Sequence, residues 1–171
     1  QRLHSAAEGR PPPVSLIGWC RLWLRVAMLA LAALIGVPVH LLLRLFRLPS
    51  PMPRLFLGVA ARIVGARVKW IGVPLKRDVF YISNHVSWID ILAIGGGSGS
   101  AFVAKAEIRK APLVGWLADQ NRTGYVQRED RMRVAEQINQ LRDAFAENWA
   151  VTVFPEGTTT DGASLLPFKS P

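Results

Sequence analysis

The chain has one cysteine, Cys20, in 171 residues, so a single copy can form neither a disulfide framework nor a cysteine-based metal site. Acidic side chains are also scarce: 12 Asp and Glu stand against 21 Lys and Arg, a formal net charge of +9. Such a balance suits nucleic acid or an anionic membrane, where each nearby cation contributes about 1 kcal/mol. The chain lacks helix-turn-helix, zinc-finger and RRM patterns, and its basic residues are scattered around long apolar runs. A membrane is therefore the expected partner, and nucleic acid is not. Also missing are a Walker A loop, a kinase glycine loop, H-E-x-x-H and a G-x-S-x-G elbow; "GGSGS" at residues 96–100 fails the last at its fifth position. Each absence removes a chemistry: a nucleotide cradle, a zinc hydrolase centre, a built-in serine nucleophile. No metal and no bound cofactor are expected. No internal repeat occurs, and the small "GGGSGS" tract at 95–100 reads as a loop.

What is present begins with an uncharged run. Residues 26–43, "VAMLALAALIGVPVHLLL", contain no Lys, Arg, Asp or Glu, and the run reaches the lower end of the length that spans a bilayer, about 17 residues. Half the chain is hydrophobic and mean hydropathy is +0.22. Arg21 and Arg25 precede the run and Arg44 and Arg47 follow it; such side chains snorkel to headgroups but, on both flanks, set no topology. Gly36 and Pro38 allow a bend into two shorter helices. A signal peptide fits less well, because the run exceeds a typical signal core and no A-x-A site follows. A buried core helix is the other reading of its length. The division is then a tail at 1–13, a membrane-anchoring helix or helical hairpin at 14–47, and a linker with an amphipathic helix at 48–65. The linker is the Pro-rich "RLPSPMPR", and "LFLGVAARIVG" places Arg62 on the polar side of the helix. A domain at 66–171 follows. The chain starts at Gln1 and stops at Pro171 inside a motif, so it is expected to be a fragment lacking the C-terminal part of that domain.

That domain alternates strand and helix. "ARVKWIGV" (66–73), "DVFYIS" (78–83), "SAFVAK" (100–105), "TGYVQR" (123–128) and "WAVTVF" (149–154) have the β-branched and aromatic content of strands. "WIDILAI" reads as helix, Pro112 suits the first position of another, and 129–148 carries an apolar stripe at Val134, Ile138, Leu141 and Phe145, opened by Glu129 and Asp130. The expected fold class is α/β: a mixed, mostly parallel sheet flanked by helices, behind the hydrophobic anchor. Such sheets hold their chemistry beyond the carboxyl ends of the strands, where His85, Arg128 and Glu156 all fall.

"NHVSWID" puts His85 and Asp90 just after a strand. Imidazole is the side chain that titrates near neutral pH, and a carboxylate on one ring nitrogen leaves the other as a base. Ser87 and Asp90 also satisfy S-x-x-D, a capping box. The two readings are compatible, and the residues alone do not choose between them. A base without its own nucleophile suggests that the substrate brings the hydroxyl, and acyl transfer survives the absences above better than phosphoryl transfer.

"NHVSWID" matches the N-H-x4-D block of the glycerolipid acyltransferases, the family of 1-acyl-glycerol-3-phosphate acyltransferases. "GYVQR" resembles the second block, ending in Arg128, and "VFPEGTTTDG" the third, with Phe154, Pro155, Glu156, Gly157 and Thr158 in place; "LPFK" follows. The resemblance runs from about residue 73 to the end. It implies a glycerol-3-phosphate acyltransferase-like fold in which His85 deprotonates a lysolipid hydroxyl and Asp90 orients His85. Arg128 would hold phosphate through a bidentate fork, though alone it reads as a surface Arg pairing with Glu129 or Asp130. Glu156, Gly157 and Thr158 would form the acceptor side, with Lys105 a lesser headgroup contact; taken alone, Pro-Glu-Gly is a turn. The implied donor is acyl-coenzyme A or acyl-acyl carrier protein, and the implied location is the bacterial inner membrane, catalytic domain on the cytoplasmic face. Lysophosphatidate is the first expected acceptor. One departure favours another: many members carry Arg after E-G-T, whereas here Thr159, Thr160 and Asp161 follow, resembling the branch that acylates lyso-ornithine lipid. A lipid-binding scaffold without activity and a thioesterase are the remaining alternatives.

Overall fold

The computed structural model describes residues 14–126 and 150–168. The expected helix at 129–148, Arg128, Trp149 and Lys169 lie outside the described residues.

The first helix, α1 (Leu16–Leu45), begins where the Ser15 hydroxyl accepts the Gly18 N–H at 3.2 Å. It is a single uninterrupted helix. Pro38 lies inside it, and the missing N–H frees only one carbonyl, a defect a long apolar helix tolerates. Thirty residues reach about 45 Å at 1.5 Å each, beyond the roughly 30 Å of bilayer hydrocarbon. Among the described residues α1 is the one helix long and apolar enough to cross a membrane, by length and composition. Its side chains stay open, Leu16 80% and Leu45 76% exposed, which excludes the core-helix reading within the described structure. After a Pro-rich turn, α2 (Met52–Val64) starts with Pro53 in its first turn and stops at Gly65, φ 95. The helix thus begins inside the stretch expected to be linker.

Residues 66–73 form no strand. Gly65 before them and Gly72 within them take left-handed backbones, and Ile71 and Val73 are 92% and 88% exposed; alternation without a sheet partner among the described residues makes only an open loop. Among the described residues the strands are β1 (Phe80–Ile82), β2 (Ala101–Lys105), β3 (Gly124–Val126) and β4 (Val151–Val153). Their order is β1-β4-β2-β3, and every pairing is parallel. The structure is therefore α/β with a parallel sheet. Central β4, Val-Thr-Val, has the β-branched makeup of a strand covered on both faces. Thr152, wholly buried, shares its hydroxyl with Ser100 at 2.6 Å, and Ser100 in turn with Ser98 at 3.0 Å, so buried polar atoms satisfy one another.

Helix α3 (Ile89–Ser98) follows β1, and α4 (Ala106–Arg109) and α5 (Pro112–Gln120) join β2 to β3. The glycines expected in a loop at 95–100 lie inside α3 as far as Gly97. Packing overrides propensity here: a Cβ on Gly96 would stand 2.5 Å from Gly58 Cα, so α2 and α3 cross backbone to backbone. Gly97 makes room for the Trp70 indole, and Gly95 for Leu57 and Phe102.

Helices α1 and α5 end alike. Arg47 N–H donates to Arg44 O and Leu48 N–H to Leu43 O; Arg122 N–H donates to Asp119 O and Thr123 N–H to Ala118 O. This is the Schellman closure, whose left-handed position usually holds glycine. Here it holds Arg47 (φ 56) and Arg122 (φ 58). A side chain at that φ costs roughly 1–2 kcal/mol, whereas a cation at a helix C-terminus returns about 0.3–1 kcal/mol. The helix dipole alone does not account for them.

Candidate active site

The parallel pairing of β1 with β4 sets the site. Their carboxyl ends lie side by side, so "NHVSWID" and "PEGTTTDG", far apart in the chain, become neighbouring loops. The Thr160 N–H donates to His85 O at 2.8 Å and joins them.

His85 Nδ1 lies 3.0 Å from Asp90 Oδ2, and that same oxygen accepts the N–H groups of Val86 at 2.7 Å and Ser87 at 2.9 Å. An oxygen taking two amide protons is a carboxylate acceptor, so the third contact makes His85 Nδ1 the donor. The neutral ring then carries its lone pair on Nε2, which has no partner among the described residues. The Ser87 hydroxyl accepts from Ile89 N–H at 3.2 Å, so the cap and the imidazole tether are one arrangement. The ring also stacks on Phe154, centroids 4.1 Å apart and planes at 23°, which fixes its rotation. His85 and Asp90 side chains remain 18% and 25% exposed, open enough for a substrate to reach. The Val86 and Ser87 N–H groups are both taken up by Asp90.

His85 stands on the wall of an apolar cavity of about 840 Å³ that runs past Trp88, Ile91 and Phe102 to Gly36, Val37 and His40 of α1. The cavity thus joins the His–Asp pair to α1. Thr159 lines it; Glu156, Gly157, Thr158 and Lys105 do not. Glu156 is fully buried, and neither carboxylate oxygen has a hydrogen-bond partner among the described residues. Gly157 takes φ 69, a left-handed turn that suits glycine, and Thr158 is exposed. Lys105 ends β2 at the same sheet edge, exposed. The structure therefore brings His85 and Asp90 together with the start of the third block but does not place Lys105 against them. The stacking of Phe154, already read as part of the third block, on His85 and the α1 wall were not foreseen from the sequence. Among the described residues no group of three His, Cys, Asp or Glu could hold a metal ion.

The family model described as Acyltransferase matches residues 67–170. The lyso-ornithine lipid O-acyltransferase of Rhizobium meliloti is 34% identical over 158 residues, 91% of this chain and 54% of that protein. That of Rhodobacter capsulatus is 34% identical over 170 residues, 94% of this chain and 60% of that protein. A 1-acyl-sn-glycerol-3-phosphate acyltransferase of Neisseria gonorrhoeae is 38% identical over 114 residues, 66% of this chain and 44% of that protein. The chain thus spans little more than half the length of the first two relatives. No solved structure matches it.

Proposed function

The chain belongs to the Acyltransferase family, and on that premise we propose that it is the catalytic part of a membrane-bound enzyme that acylates a lysolipid. His85 Nε2 takes the proton of the acceptor hydroxyl as its oxygen attacks the carbonyl of an acyl thioester. The tetrahedral oxyanion collapses, the C–S bond breaks, and the departing thiolate takes the proton from His85. Asp90 holds Nδ1–H throughout and stabilises the imidazolium that forms. Coenzyme A or acyl carrier protein supplies the thioester, on the cytoplasmic face of the bacterial inner membrane. The observation that carries this reading is the His85–Asp90 contact at 3.0 Å on the wall of an apolar cavity reaching the membrane helix: a base beside room for a fatty chain.

For the acceptor, lyso-ornithine lipid is the better-supported choice. Relatives with that printed function align with 91% and 94% of the chain, and the loop after Glu156 carries Asp161 rather than an added cation. Asp161 Oδ1 accepts from Ala163 N–H at 2.9 Å, which leaves Oδ2 for an ammonium group. Lysophosphatidate remains the second reading because Arg128 ends the second block and a relative of that activity matches 66% of the chain.

Membranes holding the full-length protein are expected to transfer labelled acyl groups to lyso-ornithine lipid, and His85→Ala to lower that rate by about 10²–10⁴-fold. Undiminished transfer would remove the base. Fatty acid released equally without lysolipid would point to a thioesterase. Preference for lysophosphatidate, with Arg128→Ala raising KM for it alone, would favour the second reading.

A further inference from the structure

Asp90 ties His85 at one atom, Nδ1, and a ring tied at one atom can still swing its plane and carry Nε2 away from an acceptor. Phe154 stands against the face of that ring, centroids 4.1 Å apart and planes at 23°. Phe154 is itself backed by Phe102, centroids 6.1 Å apart and planes at 6°. Phe102 is buried, and Gly95 of α3 leaves room for its ring. His85 follows β1, Phe154 directly follows β4 and Phe102 lies in β2, three neighbours in the order β1-β4-β2. A stacked row thus crosses the sheet and ends on the imidazole. An aromatic face is its negative part, and it attracts a cation placed over it within about 6 Å. The imidazole is neutral before acyl transfer and becomes an imidazolium as the acceptor oxygen attacks. The attraction therefore grows as the proton moves, and an interaction that is stronger in the transition state than before it raises the rate.

Resting on the acylation proposed above, we infer that Phe154 is a positioning residue of the reaction: its π face sets the plane of His85 and stabilises the imidazolium formed as Nε2 takes the acceptor proton. The proton passes from the acceptor hydroxyl to Nε2 and then to the departing thiolate, and Phe154 exchanges none. Asp90 acts on the edge of the imidazole and Phe154 on its face, so the two contributions are separable.

Fluorination at this one position in the full-length protein tests the role. Phe154→4-fluorophenylalanine, Phe154→3,5-difluorophenylalanine and Phe154→3,4,5-trifluorophenylalanine nearly keep the size of the ring while withdrawing charge from its face. The single-turnover rate of acyl transfer is expected to fall stepwise along the series, by about tenfold at the trifluoro ring, with KM and Tm held. Phe154→Leu, which also frees the imidazole plane, should lose more, and Phe154→Tyr, which keeps the face, should retain the rate. Val151→Ala, a buried change in β4 away from the cavity wall, should lower Tm and spare the rate, which separates a weakened fold from a weakened face. In protein labelled at histidine, the ring-proton resonances of His85, identified by their loss in His85→Ala, should lie upfield under the Phe154 ring current and move back in Phe154→Leu. A flat rate along the fluorinated series, a rise in KM in its place, or His85 resonances that Phe154→Leu leaves unmoved would overturn the role. Full-length protein that transfers no acyl group would overturn the proposed function and this role with it, whereas a flat series in an active protein overturns the role alone.

Discussion

Asp90 does two jobs with one oxygen: it tethers His85 and closes the turn by accepting from Val86 and Ser87. Two substitutions separate these. Asp90→Asn keeps an acceptor in place but removes the charge opposite the imidazolium, so kcat is expected to fall by about 10²–10⁴-fold with little change in Tm. Asp90→Ala also strands two amides, which costs about 1–3 kcal/mol and should lower Tm as well. Equal Tm for the two variants would mean that the turn does not need the carboxylate. This duality explains why spacing could not decide between a cap and a catalytic pair: the same geometry serves both. A second residue has a legible titration. Burial, then the hydrogen bond and negative charge of Asp119, push the Tyr125 phenol from 10.0 up to about 12, against a smaller opposing pull from Arg109. The folded state holds this proton more tightly than the unfolded chain, so the stability it contributes is whole below pH 10 and lost as pH rises toward 12. Ultraviolet titration of Tyr81→Phe protein should show the remaining tyrosine ionising late; a midpoint near 10 would contradict that environment.

Between elements, the crossing of α2 and α3 makes an asymmetric pair of glycines. A Cβ on Gly58 would meet Gly96 Cα at an ordinary 3.6 Å, whereas one on Gly96 would meet Gly58 N at 2.6 Å and Cα at 2.5 Å. Alanine inside a helix gains about 1 kcal/mol over glycine, so Gly58→Ala is expected to be neutral or stabilising. Gly96→Ala must push two backbones apart and should cost about 1–3 kcal/mol net. Thermal unfolding of the two purified variants checks the difference, and the same shift in both would mean that the helices do not touch there. The crossing also shows why sequence periodicity misread two stretches. "GGGSGS" has loop composition, yet its first glycines are helical because neighbouring backbone and Trp70 occupy the space of their missing side chains. Residues 66–73 have strand composition, yet Trp70 packs on Gly97 and no strand among the described residues runs alongside. Where the side-chain pattern itself decides, as in β2, α5 after Pro112 and the apolar α1, the elements were legible.

At the largest scale, two facts were not in the sequence: the order β1-β4-β2-β3, which sets the third block beside the first, and the docking of α1. The length and apolarity of α1 were readable; its docking on the sheet half was not, because within the apolar run the tie is a polar residue, His40. His40 is buried and lies 3.0 Å from Gln120 Oε1 through Nε2 and 2.8 Å from the Ser50 hydroxyl through Nδ1. The Gln120 carbonyl can only accept, so Nε2 donates and Nδ1 accepts from Ser50. Arg44 shares the same Gln120 oxygen. This clasp joins the end of α1 to the end of α5, and His40 and Gln120 also line the cavity that begins at His85. Anchor position and cavity shape are then coupled. His40→Leu and Gln120→Leu are each expected to destabilise the protein by about 1–3 kcal/mol, because each strands the other's polar group. Removing both should cost less than the sum, with a coupling of about 0.5–3 kcal/mol. Unfolding of the single and double variants in detergent measures that coupling, and strict additivity would mean that α1 and the sheet half are mechanically independent. If they are coupled, His40→Leu should also slow acyl transfer without touching the His85–Asp90 pair, since the far wall of the chain cavity would lose its fixed position.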